Sequence, residues 1–223
     1  MHARFLVPLV LLAACGAPGG IADEPLAPSV AESALARGIR EVEAGRTDLG
    51  VLSLRRALEL LPTEAAEQRA EAYRWIGHAF VREGDPEGAL AELNRALDER
   101  PDDPWTFYAC GTAWSTMGEL DSALACFTRA IELDPAHIKA LQWRGETWLE
   151  LERPAPAVDD FSAALLAIEA ADDAALARWG ARRVELLETT LRLRARAYSS
   201  SGDEQRAALD RARREELLAN LRG

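Results

Sequence analysis

Gly118–Pro135 reads GELDSALACFTRAIELDP, and Gly84–Pro101 reads GDPEGALAELNRALDERP. The two stretches align without a gap at an offset of 34 residues. Gly118 meets Gly84, Ala123 meets Ala89, Ala130 meets Ala96 and Pro135 meets Pro101, while the residues between them drift. The same register places Gly38, Gly77, Gly111 and Gly145 in the middle of what should be a helix. A glycine there costs about 1 kcal/mol relative to alanine. Its recurrence implies that a second helix approaches where a side chain would clash, with Ala89, Ala123 and Ala157 serving the same need from the opposite side. Gly84-Asp85-Pro86 reads as helix stop, N-cap and first-turn proline. Gly118 with Asp121, and Pro154 with Pro156, are read as the same device. Pro62, Pro101 and Pro135 end each second helix, because the residue before proline is pushed out of the helical region.

The clearest full copy is Phe107, Cys110, Gly111, Trp114, Ala123, Phe127, Ala130 and Pro135. Before it stand Tyr73, Ile76, Gly77, Phe80, Ala89, Leu93, Ala96 and Pro101; after it come Leu141, Arg144, Gly145, Trp148, Ala157, Phe161 and Ala164. A weaker copy runs Ala34, Gly38, Gly50, Leu54, Ala57 and Pro62, and a last one Leu191, Ala195, Tyr198, Ala207 and Arg211. These residues resemble the tetratricopeptide repeat, whose signature is W-x2-L-G-x2-Y, then A-x3-F, then P, on a period of 34. The reading is all-α: an α-solenoid of antiparallel helix pairs over 31–171, in repeats at 31–64, 70–103, 104–137 and 138–171. The segment 172–223 is read as one long helix, Ala174–Ser200, then a break at Ser199–Glu204 and a charged closing helix that caps the array.

Met1–Cys15, MHARFLVPLVLLAAC, has one arginine followed by an apolar run ending in small residues. The run is too short for a mature membrane span and fits a secretory signal. Leu12-Ala13-Ala14-Cys15 resembles the lipobox of bacterial lipoproteins, which implies cleavage after residue 14 and acylation of Cys15. Residues 15–30 are then the lipidated cysteine and a Gly/Pro/Ala-rich linker. The resemblance implies a periplasmic solenoid tethered to an envelope membrane, with the outer membrane expected because Gly16, not aspartate, follows the cysteine.

Chemistry is thinly marked. The net charge of −11 and a single lysine, Lys139, argue against a sequence-indifferent grip on nucleic acid. His78 and His137 stand outside any ligand cluster, and no phosphate loop, nucleophile elbow or zinc-protease motif occurs. The sequence therefore points to no enzyme, no cofactor and no small-molecule substrate. Cys110 and Cys126 read as small buried hydrophobes, with a bridge between them the alternative in an oxidising periplasm. From Arg178 to Arg214 arginines outnumber acids, so that end is basic on an acidic remainder.

In tetratricopeptide proteins the first helices line a concave surface that receives a peptide or a partner's helix. The matching positions here are Arg74, Trp75, His78 and Arg82, then Trp105, Tyr108, Ala109 and Thr112. They continue with Lys139, Gln142, Trp143 and Glu146, and end with Arg192 and Arg196. Arginine and aromatic side chains are the types enriched at binding hot spots. A solvated basic stripe with tryptophans packed between repeats is the plainer reading of the same residues. The asparagines that clamp a terminal carboxylate in the family's chaperone-binding members are absent from these positions. The expectation is a membrane-anchored adaptor that holds protein partners in this groove. A structural subunit of an envelope assembly (pilus, outer-membrane biogenesis or cell-wall remodelling), or an enzyme with an unrecognised site, are the alternatives.

Overall fold

The computed structural model describes residues 29–177 and 182–220. The leader, Cys15 and the linker through Pro28 lie outside the described residues. Ser29 and Val30, expected at the end of the linker, instead begin a helix. Ser29 Oγ accepts from Glu32 N at 3.2 Å and Glu32 Oε2 from Ser29 N at 2.7 Å, a reciprocal cap.

The described residues form α-helices and no strand. They are α1 (Val30–Glu43), α2 (Thr47–Leu60), α3 (Ala66–Glu83), α4 (Pro86–Glu99), α5 (Pro104–Thr116), α6 (Leu120–Leu133), α7 (Ile138–Glu150), α8 (Pro154–Ala170), α9 (Asp173–Ala177), α10 (Arg183–Ser200) and α11 (Glu204–Ala219). Pairs α1/α2, α3/α4, α5/α6, α7/α8 and α10/α11 pack as hairpins. The first helices also touch in series, α1 on α3, α3 on α5, α5 on α7 and α7 on α10, whereas the second helices fan apart. The first helices therefore lie on the inside of the curve.

The turn inside each hairpin is one piece of backbone repeated. Arg46 N donates to Glu41 O, Asp85 N to Phe80 O, Glu119 N to Trp114 O, Arg153 N to Trp148 O and Asp203 N to Tyr198 O, at 2.8–3.0 Å. The residue before each donor is left-handed, with φ of 77–80° at Gly45, Gly84, Gly118 and Gly202, and 56° at Glu152. Capping differs from the expectation. Asp85 does accept from Gly88 N at 2.9 Å. Asp121, however, lies inside α6, whose cap residue Glu119 makes no side-chain bond, and Arg153 before α8 makes none. α8 does begin on Pro154, the expected first-turn proline.

A Cβ built on Gly38 or Gly77 would lie 2.6 or 2.7 Å from Cγ of Leu54 or Leu93. On Gly145 it would lie 2.6 Å from the Phe161 ring, and on Gly111 it would run into the Phe127 ring. The close approach is thus made chiefly by a second-helix side chain. Backbone contributes at Gly38 and Gly77, through Gly50 O at 3.0 Å and Ala89 O at 3.2 Å.

The expected long helix from Ala174 does not form. Arg182 is extended (φ −78°, ψ 153°) and starts α10. Leu176 and Leu186 both turn inward onto Ile138 and Ile168. The Arg183 guanidinium donates to Ile168 O and Ala171 O, capping the end of α8, so burial and capping at both ends outweigh helix continuity.

Candidate functional site

The inner face divides into two unequal halves. On α3, Arg74 is sunk between rings, with its guanidinium carbon 6.0 Å from the Trp75 centroid and 5.9 Å from that of Trp105. Its Nε lies 3.6 Å from Asp103 Oδ2 and its Nη2 3.8 Å from Glu71 Oε1, both beyond hydrogen-bond length. Burial holds its pKa below the usual arginine value. Trp75 meets His78 edge-on at 5.5 Å. His78 keeps solvent exposure, yet partial burial and the charges of Arg82 and Arg74 push its pKa down. Arg82 Nη1 donates to Val42 O at 2.6 Å, so that side chain caps α1. Of the expected stripe Arg74, His78 and Arg82, Arg74 is sunk, while His78 and Arg82 are exposed, Arg82 with one guanidinium nitrogen committed to Val42 O.

Trp105 and Tyr108 on α5 lean on His137, at 4.7 and 5.3 Å between ring centroids. His137 is buried and its Nδ1 accepts from Ala140 N at 3.1 Å, capping α7. Burial pushes the Tyr108 hydroxyl up to about 12, against a hydrogen bond from the Trp143 side chain. Thr112 Oγ1 turns back to Ala109 O at 2.7 Å. Gln142 departs from the expectation: it is 4% exposed, and its Nε2 donates to Thr190 Oγ1 at 2.7 Å, tying α7 to α10. Ala109 is likewise buried.

The carboxyl-terminal half is open. Trp143, stacked on Phe127 at 6.4 Å, remains 36% exposed. Half-buried Glu146 stands within the field of Arg192, Arg196 and Lys139; burial nevertheless raises its pKa. Burial lowers that of Lys139. Arg192 and Arg196 are exposed, with no ion pair or hydrogen bond among the described residues.

Two features escaped the sequence reading. Glu67, Glu71, Arg74, Arg100, Asp103, Trp105 and Asp134 line a cleft of about 400 Å³ at the starts of α3 and α5. Its members come from separate repeats, and no local spacing announces them. The other is a pair of bidentate clamps on the repeat interfaces. Arg144 holds Asp160 at 2.6 and 2.9 Å and Thr128 at 3.1 Å; Arg194 holds Asp210 at 2.7 and 2.8 Å and Ser162 at 3.1 Å. The shared 16-residue spacing within each pair was the available signal.

Reactive groups are muted. Burial pushes the free thiols of Cys110 and Cys126 up to about 12 and about 11, so both stay protonated and weakly nucleophilic. Among the described residues no group of three or more His, Cys, Asp or Glu side chains could hold a metal ion, and no helix is long and apolar enough to cross a membrane.

Two tetratricopeptide repeat models match the chain, one over residues 35–104 and 115–179 and another over 80–142. The chain is 33% identical over 95 residues to DnaJ homolog subfamily C member 3 of Rattus norvegicus, covering 43% of this chain and 19% of that protein. It is 40% identical over 57 residues to TPR repeat-containing protein MJ0941 of Methanocaldococcus jannaschii, covering 26% of this chain and 17% of that one. The chain thus spans under a fifth of the length of these relatives. A crystal structure of MamA superposes with a TM-score of 0.63 at 15% identity, covering 82% of this chain and 95% of that one. TTC0263, a thermophilic TPR protein of Thermus thermophilus, gives 0.63 at 19% identity, covering 84% and 91%. With the repeat models covering more than half of its length, the chain belongs to the tetratricopeptide repeat family, an architecture that scaffolds protein–protein contacts.

Proposed function

We propose that the protein is a lipid-anchored, non-catalytic adaptor of a bacterial cell envelope, tethered through Cys15 to the outer membrane. Its inner face holds a partner polypeptide in the periplasm. The anchor rests on the apolar leader and LAAC; the docking role rests on the repeat architecture. The observation that carries the groove is Trp143, 36% exposed on the inner face, beside two exposed arginines on the neighbouring helix. Indole and guanidinium in one unfilled concavity are a hot-spot composition.

A photo-crosslinking residue at position 143 in the anchored protein tests the groove. A discrete adduct in envelope extracts, absent when the same residue is placed at exposed Arg129 on α6, is expected. Equal labelling at both positions would remove the assignment. Intact mass of detergent-extracted protein tests the anchor: Cys15 should be the first residue and carry acyl chains. Val30, Leu49, Leu52 and Leu60, all exposed near the amino-terminal end of the array, favour a second reading as a structural subunit of an envelope assembly.

A further inference from the structure

Three observations about the inner face converge, and the inference they carry rests on the groove reading just proposed. First, α5, in the middle of the array, has no charged residue from Pro104 to Thr116. The centre of the groove is therefore neutral and aromatic, with Tyr108 under the Trp143 side chain. Second, Arg192 and Arg196 stand one helical turn apart, exposed, without an ion pair or hydrogen bond among the described residues. Their neighbours on the same helix are committed: Arg183 to Asp173 and Arg194 to Asp210. Third, Glu146, which faces them, is half-buried and lacks an ion pair within 4.0 Å among the described residues. Burial, with the like charge of Glu150 one turn along α7, raises its pKa, while three cations, Arg192, Arg196 and Lys139, face it.

We propose that the groove selects an acidic, extended polypeptide segment, which sets carboxylates on Arg192 and Arg196 and an apolar side chain against Trp143. A chain of net charge −11 repels a polyanion except where its own cations converge, so a local reversal of sign both chooses and orients the ligand. The planar guanidinium fork suits carboxylate oxygens in pairs. Axial spacings of about 8–10 Å put α10 about 25–30 Å from α3 across three intervals, a span of about eight or nine extended residues. At the α3 end such a segment meets His78. Burial and the charges of Arg82 and Arg74 favour its neutral form, and Arg82 itself is tied to Val42 O, so the groove cations without an ion pair or hydrogen bond among the described residues are those of the α10 end.

Fluorescent peptide pools of about twelve residues, equal in apolar content, test this by anisotropy against the full-length protein in detergent. Their remaining positions are all Asp/Glu, all Ser/Gln or all Lys/Arg, and a single-stranded oligonucleotide competes in a parallel arm. The acidic pool should bind at least about tenfold tighter than the Ser/Gln pool at low salt, and the gap should narrow at high salt. Arg192→Glu with Arg196→Glu should abolish the preference while leaving the helical circular dichroism unchanged; if that variant unfolds, Arg196→Gln should halve the gap. Trp143→Ala should weaken every pool. Preference for the Lys/Arg pool, a preference that survives charge reversal, or full displacement by the oligonucleotide would overturn the acidic-segment proposal and leave the groove standing. Indifference of all pools to Trp143→Ala would overturn the groove itself.

Discussion

At the scale of single residues, one position breaks the rule its equivalents keep. Gly45, Gly84, Gly118 and Gly202 occupy the left-handed turn of their repeats, and Glu152 occupies it with φ 56°. A side chain there opposes Cβ to the neighbouring carbonyl at about 1 kcal/mol or more. Glu152→Gly should therefore stabilise by about 0.5–1 kcal/mol after its entropic cost, raising the midpoint of thermal unfolding by a few degrees. No rise in Tm would mean that the turn is not strained. The mid-helix glycines predict the opposite sign. Gly145→Ala would ordinarily gain helix propensity, but its Cβ meets the Phe161 ring at 2.6 Å, so a net loss of about 1–3 kcal/mol is expected. The last repeat provides the internal control. There Ala195 replaces glycine and Arg211 replaces the aromatic residue, so the ring that would forbid a methyl is gone. Ala195→Gly should consequently destabilise, by about 1 kcal/mol. Glu146 adds a pH dependence. Its folded pKa lies above its ordinary 4.5, so the folded form holds the proton more tightly and stability falls as pH rises through that window. Glu146→Gln should gain stability at neutral pH, and the difference from the parent should vanish below about pH 4.

At the scale of helices, the sequence made the repeats legible because their fixed residues obey short-range sterics: a left-handed glycine, a proline after a helix, a small residue under a large one. Pro101 and Pro135 follow Arg100 and Asp134, both extended at ψ 92° and 93°, as the pre-proline clash requires. What escaped was decided across repeats. Gln142 looked like a groove residue by register, but its partner Thr190 lies 48 positions away. Arg82 looked like part of a basic stripe, but its acceptor is a carbonyl of α1. The break at Arg182 was hidden for the same reason, since the apolar stripe is continuous through a segment whose ends fold inward separately. Asp121 was misread as a cap because it is the first Asp after Gly118, whereas the helix starts earlier, at Leu120. The clamp Arg144–Asp160 makes its own prediction. Its side chains are 19% and 6% exposed, so Asp160→Leu leaves a mostly buried guanidinium unpaired and should cost about 3–5 kcal/mol. Arg144→Leu with Asp160→Leu should cost much less, because the matching positions of the preceding repeat are Cys110 and Cys126, which carry no charge in the fold. Chemical denaturation of the two singles and the double separates these outcomes. Near-additive losses would show that the clamp does not act as a pair.

At the scale of the whole molecule, stability is a chain of nearest-neighbour contacts rather than a property of one core. The buried residues fall into successive clusters: one around Val42, Leu54 and Ile76, one around Leu93 and Cys110, one around Ile138 and Leu186, and one around Phe161 and Leu193. An inner face assembled from consecutive helices keeps its shape only while its neighbours stay stacked, so the open half of the groove depends on α10 remaining docked on α7 and α8. The end of the array is its weak point. α11 packs extensively on α10 alone among the described helices, and of its residues Ala207 and Asp210 are buried. Asp210 is also the acceptor of the Arg194 clamp, at 2.7 and 2.8 Å, and Arg194 reaches on to Ser162 of α8. Asp210→Ala should therefore loosen α11 by local opening and free Arg194, without unfolding the interior. Hydrogen exchange in the native state should show α11 amides losing protection by about tenfold or more, α10 amides by less, and α3–α6 amides unchanged. A uniform loss across all helices would mean that the array unfolds as one unit, and the groove could then not be altered at one end while remaining intact at the other.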